Sequence, residues 1–124
     1  MIPKTKRILV IDDDSDILTL LRETLEANHF ECETAASPQE GLDKALAFKP
    51  HLILLDLMLP GMSGFGFMRE LKKHRAIAGT PIVVLTALSD EEIAEESLSL
   101  GAKGYLSKAC NAKELVTMVQ AYSD

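Results

Sequence analysis

Polar side chains that can bind metal ions and phosphoryl groups follow short apolar runs at several places in the sequence. In chain order they are Asp12, Asp13, Asp14, Asp56, Thr86 and Lys108. Carboxylates that are crowded together repel one another unless a cation neutralises them, and hard oxygen ligands suit Mg²⁺ better than Zn²⁺. With a divalent ion bound, Asp56 could act as a nucleophile toward phosphorus. Thr86 and Lys108 could then hold phosphoryl oxygens.

The same residues also have ordinary structural interpretations. An aspartate run before a helix is commonly a capping segment, and Asp56 could be a turn residue before Pro60 and Gly61. Thr86 could simply end a strand, and Lys108 could be a surface charge. These alternatives stay open unless the surrounding elements bring the side chains together.

The sequence predicts five strands alternating with five helices. Three runs are continuously apolar, which is typical of strands buried on both faces: Ile8–Ile11, Leu52–Leu55 and Ile82–Leu85. Weaker strand patterns cover Glu31–Ala36 and Lys103–Ser107. Helical patterns cover Ser15–His29, Pro38–Phe48, Gly64–His74 and Asn111–Tyr122, and a further helix start is marked by Asp90, Glu91 and Glu92. Ser37 and Glu40 look like the two members of a capping box.

Such alternation predicts an α/β fold, a doubly wound parallel sheet in three layers. We expect a single domain over residues 1–124, with a core at about 7–122 and no effector domain. In an open parallel sheet, ligand sites form at the carboxyl ends of the strands. The acids, the threonine and Lys108 would therefore converge at that edge.

Composition excludes several other classes of protein. The formal net charge is -6 and the 13 basic residues are scattered, so direct nucleic-acid binding is not expected. The basic N-terminus precedes only a short apolar run, which is too little for a signal peptide or a membrane span. The sequence thus predicts a cytoplasmic location and no membrane contact.

The cysteines and histidines lack the spacing of a functional site. Cys32 and Cys110 are far apart in sequence, and we interpret both as reduced structural thiols. His29, His51 and His74 lie at element ends and are interpreted as structural or exposed. Gly61 and Gly64 are interpreted as loop-forming residues, because no P-loop pattern accompanies them.

Four segments together resemble the receiver domain of bacterial response regulators. They are Ile8–Asp14, Leu54–Gly64, Leu85–Ala87 and Gly104–Lys108, which read ILVIDDD, LLDLMLPGMSG, LTA and GYLSK. The resemblance covers nearly the whole chain. It implies a flavodoxin-like sheet with strand order 2-1-3-4-5 and a role in two-component signal transduction, with magnesium as the cofactor and manganese as a possible substitute.

The resemblance also implies roles for individual residues. Asp56 would accept the phosphoryl group, and the metal ligands would be Asp12, Asp13, Asp56 and the backbone carbonyl of Met58. Thr86 and Lys108 would bind the phosphoryl group, while Thr86 and Tyr105 would form the conformational switch. Asp14 is expected to be a helix-start residue rather than a ligand.

One position departs from the family pattern, because Ala109 stands where members usually carry a proline after the lysine. The Lys108–Ala109 peptide is therefore either held cis by its surroundings, at a cost of about 3 kcal/mol, or trans with an altered loop path.

The expected partners are a sensor histidine kinase or histidine phosphotransfer protein and an unknown downstream protein, with the chain monomeric or dimerising on phosphorylation. By resemblance, the donor docks on the first helix around Ile17 and Leu18 and on the loop after Lys108, and the output surface runs from the fourth helix to the fifth. The resemblance also implies that the residues two beyond the acceptor and two beyond the threonine tune hydrolysis; here they are the apolar Met58 and Leu88, so we expect a long-lived phosphoaspartate. Two alternatives remain: a phosphohydrolase that acts on a small molecule, and an interaction module that is never phosphorylated.

Overall fold

The structure is a computed structural model that describes residues 5–58, 63–86 and 91–123, with no side-chain description for residues 91–94. Strands and helices alternate throughout these ranges. The elements in chain order are β1 (Arg7–Ile11), α1 (Ser15–Ala27), β2 (Glu31–Ala35), α2 (Pro38–Phe48), β3 (Leu52–Asp56), α3 (Gly64–Lys72), β4 (Ile82–Thr86), α4 (Glu91–Ser99), β5 (Gly104–Ser107) and α5 (Ala112–Tyr122).

The five strands form one parallel sheet in the order β2-β1-β3-β4-β5, which confirms the predicted fold and strand order. The three continuously apolar runs form the central strands, whose residues are almost entirely buried. Strands that are covered on both faces cannot alternate apolar and polar residues, so the sequence pattern follows from the layered architecture.

Two hydrophobic clusters lie on opposite faces of the sheet. One contains Leu9, Ile53 and Val84 from the strands and Phe67 from α3. The other contains Val10, Leu54 and Leu85 from the strands, with residues of α1 and α5. Alternate residues of each strand thus feed different clusters, as the two-residue period of a strand requires.

Two helices end earlier than their sequence patterns predict. The first was expected to reach His29 but ends at Ala27. His29 has a φ of 69°, and the N–H of Phe30 donates to the Leu25 carbonyl at 3.0 Å. This is a left-handed helix ending, in which the following amide satisfies an exposed carbonyl. The third helix ends at Lys72 rather than His74, which lies in the turns that follow.

The predicted capping arrangement at the second helix is only half correct. The Ser37 hydroxyl accepts from the Glu40 N–H at 3.2 Å, as expected for an N-cap. The Glu40 carboxylate, however, accepts from the N–H of Ala36, one residue before the cap. A true capping box is present at α5, between Asn111 and Glu114.

Gly64 allows close packing at the start of α3. A β-carbon at this position would lie 2.6 Å from the Leu57 Cα, and the Gly64 N–H donates to the Leu57 carbonyl. Because the obstructing atom belongs to the backbone, a side chain here would displace the segment that follows β3. The loop role predicted for Gly64 is therefore supported, whereas Gly61 lies outside the described residues.

Among the described helices, none combines the length and the apolar content needed to cross a membrane.

Candidate functional site

The carboxyl ends of β1 and β3 bring the predicted acids to one edge of the sheet. Ile11 pairs with Leu55, so the residues that follow, Asp12 and Asp56, end adjacent strands. Asp12 is 0% exposed and Asp56 is 3% exposed. Two carboxylates this deeply buried need compensating partners, because an isolated buried charge is strongly unfavourable.

Lys108 supplies the positive charge for both carboxylates. Its Nζ lies 2.8 Å from Asp12 Oδ2 and 3.1 Å from Asp56 Oδ2. The contact with Asp56 is a hydrogen bond, and the second Asp56 oxygen, Oδ1, accepts from the Met58 N–H at 3.0 Å. The sequence predicted that Lys108 would reach this edge, and the structure places it there.

Three carboxylates are close enough to bind one cation together. Asp12, Asp13 and Asp56 can each offer an oxygen so that all three atoms lie within 4.8 Å of one another. Asp12 Oδ2 is buried, and its described partner is the Lys108 ammonium at 2.8 Å, so this oxygen still has a lone pair for a further ligand. A buried oxygen with this capacity, next to exposed Asp13, fits a hard divalent cation.

Burial and neighbouring charge shift the protonation equilibria of the site in identifiable directions. Burial raises the pKa of Asp12, and the Asp56 charge adds to this effect, while the Lys108 ammonium and the Asp14 N–H oppose it without cancelling it. Burial alone would lower the pKa of Lys108, but its contacts with Asp12 and Asp56 outweigh burial and raise it. The lysine therefore stays charged and can neutralise both acids.

Asp14 takes the capping role that was predicted for it. It is the N-cap of α1, and its carboxylate accepts from the N–H groups of Asp16 and Ile17. Its own N–H donates to Asp12 Oδ1 at 2.9 Å. Asp14 thus fixes the orientation of Asp12 instead of joining the group of three carboxylates.

The remaining predicted site residues lie at or near the same edge. Thr86 is the last residue of β4 and is half-buried, and its carbonyl accepts from the Lys108 N–H at 2.8 Å. Met58 contacts the site through its N–H, while its carbonyl as a metal ligand stays a prediction. Tyr105 is 47% exposed, so about half of its side chain is open to solvent rather than packed as core.

The loop after Lys108 follows a trans path. The described peptide bonds include no cis bond, so the Lys108–Ala109 peptide is trans while Lys108 still reaches both acids. Two hydrogen bonds define the loop: Ala109 N–H donates to the Ser107 hydroxyl, and Cys110 N–H donates to the Ser107 carbonyl. Sequence reasoning missed this role of Ser107, although serine is a common residue in such turns.

Both cysteines are free thiols, as the sequence predicted; Cys32 is buried and Cys110 is half-buried. His51 is structural, because its Nδ1 accepts from the Arg7 N–H at 2.9 Å. His29 is exposed and His74 is half-buried.

Comparison with known proteins identifies the family. The model of the response regulator receiver domain matches residues 8–120, and the chain belongs to this family. It is 37% identical over 116 residues to the phosphate regulon transcriptional regulatory protein PhoB of Pseudomonas aeruginosa, covering 94% of this chain and 51% of that protein. It is 40% identical over 116 residues to the DNA-binding response regulator MtrA of Mycobacterium tuberculosis, covering 94% of this chain and 50% of that protein.

The chain therefore spans about half the length of the curated relatives that it matches. Among solved structures, the chemotaxis protein CheY4 of Vibrio cholerae superimposes with a TM-score of 0.89 at 31% identity, covering 96% of this chain and 99% of that one. A response regulator from Chloroflexus aurantiacus gives a TM-score of 0.90 at 29% identity, covering 97% and 98%. The chain is thus a signalling receiver domain of the two-component type.

Proposed function

We propose that the chain accepts a phosphoryl group on Asp56 in a reaction that requires Mg²⁺. The observation that carries this proposal is a buried carboxylate, Asp56, held by the Lys108 ammonium at 3.1 Å within a group of three acids. Asp56 Oδ1 also accepts from the Met58 N–H, as in a turn, but its burial and its contact with Lys108 distinguish it from an ordinary turn residue and suit it to react with phosphorus. The receiver family supplies the reaction class.

Asp12, Asp13 and Asp56 would hold the metal, together with the Met58 carbonyl. When bound, Mg²⁺ would neutralise the charge that builds up on the phosphoryl oxygens. Lys108 already lies beside Asp56 Oδ2, where it can move from the carboxylate to a phosphoryl oxygen. Thr86, at the adjacent strand end, is proposed to donate its hydroxyl to a second phosphoryl oxygen.

The transfer itself is a simple exchange of bonds. A carboxylate oxygen of Asp56 forms a bond to phosphorus while the phosphorus bond to the donor breaks. A phosphohistidine donor that is protonated on its other ring nitrogen takes the electron pair of the P–N bond and leaves as a neutral imidazole. The Asp56 carboxylate is the nucleophile, and the step includes no proton transfer from it. The residues of this chain thus orient the donor and stabilise charge, which is the main work in phosphoryl transfer.

A sensor histidine kinase or a histidine phosphotransfer protein is the proposed donor. The family resemblance implies a docking surface around Ile17 and Leu18 and on the loop after Lys108. Ile17 and Leu18 are half-buried and packed against the core. Leu20 on the same helix is 54% exposed, so it is the better position for a test. Leu20→Glu should slow transfer from a phosphohistidine donor and leave phosphorylation by acetyl phosphate unchanged.

Output is proposed to follow from a shift between two arrangements of Thr86 and Tyr105. The half-exposed Tyr105 ring described above would be the unphosphorylated arrangement, and phosphorylation would favour an inward one. The surface from α4 to α5 would then change for a downstream partner. A Tyr105→Trp variant should report this change as a fluorescence shift on phosphorylation, and an unchanged spectrum would contradict it.

The lifetime of the phosphoaspartate is proposed to be long. The Met58 side chain is 77% exposed beside Asp56 and cannot orient an attacking water, and Leu88, the second residue invoked for this effect, lies outside the described residues. Met58→Asn combined with Leu88→Glu should speed dephosphorylation. An unchanged or slower decay would show the idea to be wrong.

The test of the function is incubation with Mg²⁺ and acetyl phosphate, followed by measurement of the intact mass. We expect one added phosphoryl group in the native chain, and none in Asp56→Asn or when Mg²⁺ is chelated. Continuous release of phosphate without stable labelling would favour a small-molecule phosphohydrolase. No labelling together with no Mg²⁺ binding would favour an interaction module.

A further inference from the structure

β2 is an edge strand of the sheet. Its outward-facing carbonyls accept hydrogen bonds from side chains of helices that lie on the two faces of the sheet. Glu31 N–H donates to the Lys6 carbonyl, and the Ala35 carbonyl accepts from Asp12 N–H, so these residues face β1. Backbone groups of alternate residues point to opposite sides of a strand. Cys32 and Thr34 therefore direct their N–H and carbonyl groups away from the sheet, where an added strand would bind.

Each of those two carbonyls has a cationic partner from a different helix. Arg22 of α1 donates from Nη2 to the Cys32 carbonyl at 3.4 Å. Lys44 of α2 donates from Nζ to the Thr34 carbonyl in a short hydrogen bond. Because α1 and α2 pack on opposite faces of the sheet, the two side chains reach around the edge from both faces.

Ion pairs help to hold Lys44 at the edge, and burial keeps Arg22 there. Lys44 lies 3.5 Å from a Glu33 oxygen and 3.9 Å from a Glu40 oxygen, so carboxylates of β2 and α2 flank it. The Nε of Arg22 is buried and has no hydrogen-bond partner among the described residues, so burial, and not a further polar contact, keeps this part of the guanidinium against the protein. Both side chains are half-buried, unlike most surface cations.

We propose that Arg22 and Lys44 act as edge caps that prevent the β2 strand from pairing with the β2 strand of a second copy of this chain. Two copies could otherwise join their edges about a two-fold axis into one continuous sheet. Such pairing needs the carbonyls of Cys32 and Thr34 as acceptors, and both already have donors. The cations also put charge where an incoming strand would lie, a recognised means of protecting sheet edges. The other edge strand, β5, has only four residues and offers a shorter template.

The test is the double variant Arg22→Met and Lys44→Met, called the edge variant, which removes both donors and keeps their aliphatic stems. The matched control is the double variant Lys73→Met and Lys113→Met. It removes the same charge from two exposed positions, the C-cap of α3 and the first turn of α5. Self-association is measured by sedimentation equilibrium at high ionic strength, where repulsion between the acidic copies is screened. We expect the dimer dissociation constant of the edge variant to fall at least about tenfold below that of the control.

Amide hydrogen exchange identifies the surface that associates. In the native chain we expect the outward amides of Cys32 and Thr34 to exchange rapidly, and in the associated variant to become protected. Arg22→Lys with Lys44→Arg, which retains a cation at each position, should stay as monomeric as the native chain. A folded edge variant that associates no more than the control would overturn the proposal, as would association without protection of these two amides. If the double variant does not fold, the two single methionine variants carry the same test.

Discussion

Removing the charge of Asp13 should stabilise the metal-free domain and at the same time weaken its binding of Mg²⁺. Asp13 is exposed, and it can place an oxygen within 4.8 Å of oxygens from Asp12 and Asp56. The described ion pairs of Lys108 are with those two acids and not with Asp13. The Asp13→Asn variant therefore loses repulsion and, within the described residues, no ion pair.

The size of the expected gain in stability follows from the distance between the carboxylate oxygens. At 4.8 Å two unit charges repel by about 0.9 kcal/mol in a water-like medium and by about 3.5 kcal/mol at an effective dielectric constant of about 20. Because Asp13 is exposed, the lower value applies, and salt screening reduces it further. We expect a total gain of about 1 kcal/mol, which corresponds to a rise in Tm of about 4 °C for a domain of this size.

The assay is urea unfolding with and without Mg²⁺, and the matched control is Asp14→Asn. Asparagine is as good an N-cap as aspartate, so the control removes a neighbouring charge without removing the cap. At a Mg²⁺ concentration 100 times the Kd of the native protein, the unfolding free energies of the native protein and of the control should both rise by about 2.7 kcal/mol. The unfolding free energy of Asp13→Asn should rise much less at the same concentration. A metal-free Asp13→Asn domain that is less stable than the native one would refute the account of crowded carboxylates.

Three further predictions follow from the packing and charge of other residues. Lys108→Met should lower the stability of the metal-free domain by about 3 kcal/mol, because it leaves two buried carboxylates unneutralised, and Mg²⁺ should restore part of this loss in the same unfolding assay. Gly64→Ala should cost about 2 kcal/mol because its β-carbon meets backbone, whereas Gly79→Ala, which meets nothing within 4 Å, should be neutral by thermal unfolding. Burial raises the pKa of Cys32 from its ordinary value of 9.0 to about 12, so only the unfolded chain ionises between these values. The stability contributed by this protonated thiol is complete below about pH 9 and is lost as pH rises toward about 12. The difference in unfolding free energy between the native chain and Cys32→Ala should therefore narrow over that range. A difference that stays constant would contradict the burial argument.

The central strands and the location of the site could be predicted from the sequence because both depend on short-range patterns. Ile8–Ile11 and Leu52–Leu55 are continuously apolar, which in a chain of this length indicates strands covered on both faces. Once the sheet is parallel, its carboxyl edge collects the residues that follow each strand. The proximity of Asp12, Asp56 and Lys108 is a consequence of that geometry.

Other features depend on contacts that no local pattern encodes. The sequence of β2 carries glutamates at positions 31 and 33, so it reads as a weak strand, and its edge position explains this polarity. The end of α1 depends on the left-handed conformation of His29, which histidine adopts more often than most residues but which its type does not dictate. The exposure of Tyr105 is likewise not decided by its residue type, because a tyrosine ring can pack as core or lie partly open to solvent.

The position of the Lys108 side chain also depends on contacts that no local sequence pattern encodes. Replacement of the usual proline by Ala109 raised the question whether the lysine would still approach the acids. Lys108 does approach the acids, because hydrogen bonds position the loop. The Ser107 hydroxyl accepts from the Ala109 N–H, the Ser107 carbonyl accepts from the Cys110 N–H, and the Lys108 N–H donates to the Thr86 carbonyl. These bonds hold the backbone on both sides of Lys108 with a trans peptide.

The central claim is that Asp56, rather than either neighbouring acid, carries the phosphoryl group. The most direct measurement is to phosphorylate the native chain with acetyl phosphate and Mg²⁺, reduce the acyl phosphate with borohydride, and map the product by peptide mass spectrometry. Reduction converts a phosphorylated aspartate into homoserine and leaves free carboxylates unchanged. The account predicts homoserine at position 56 alone; homoserine at position 12 or 13, or at no position despite bound Mg²⁺, would contradict it.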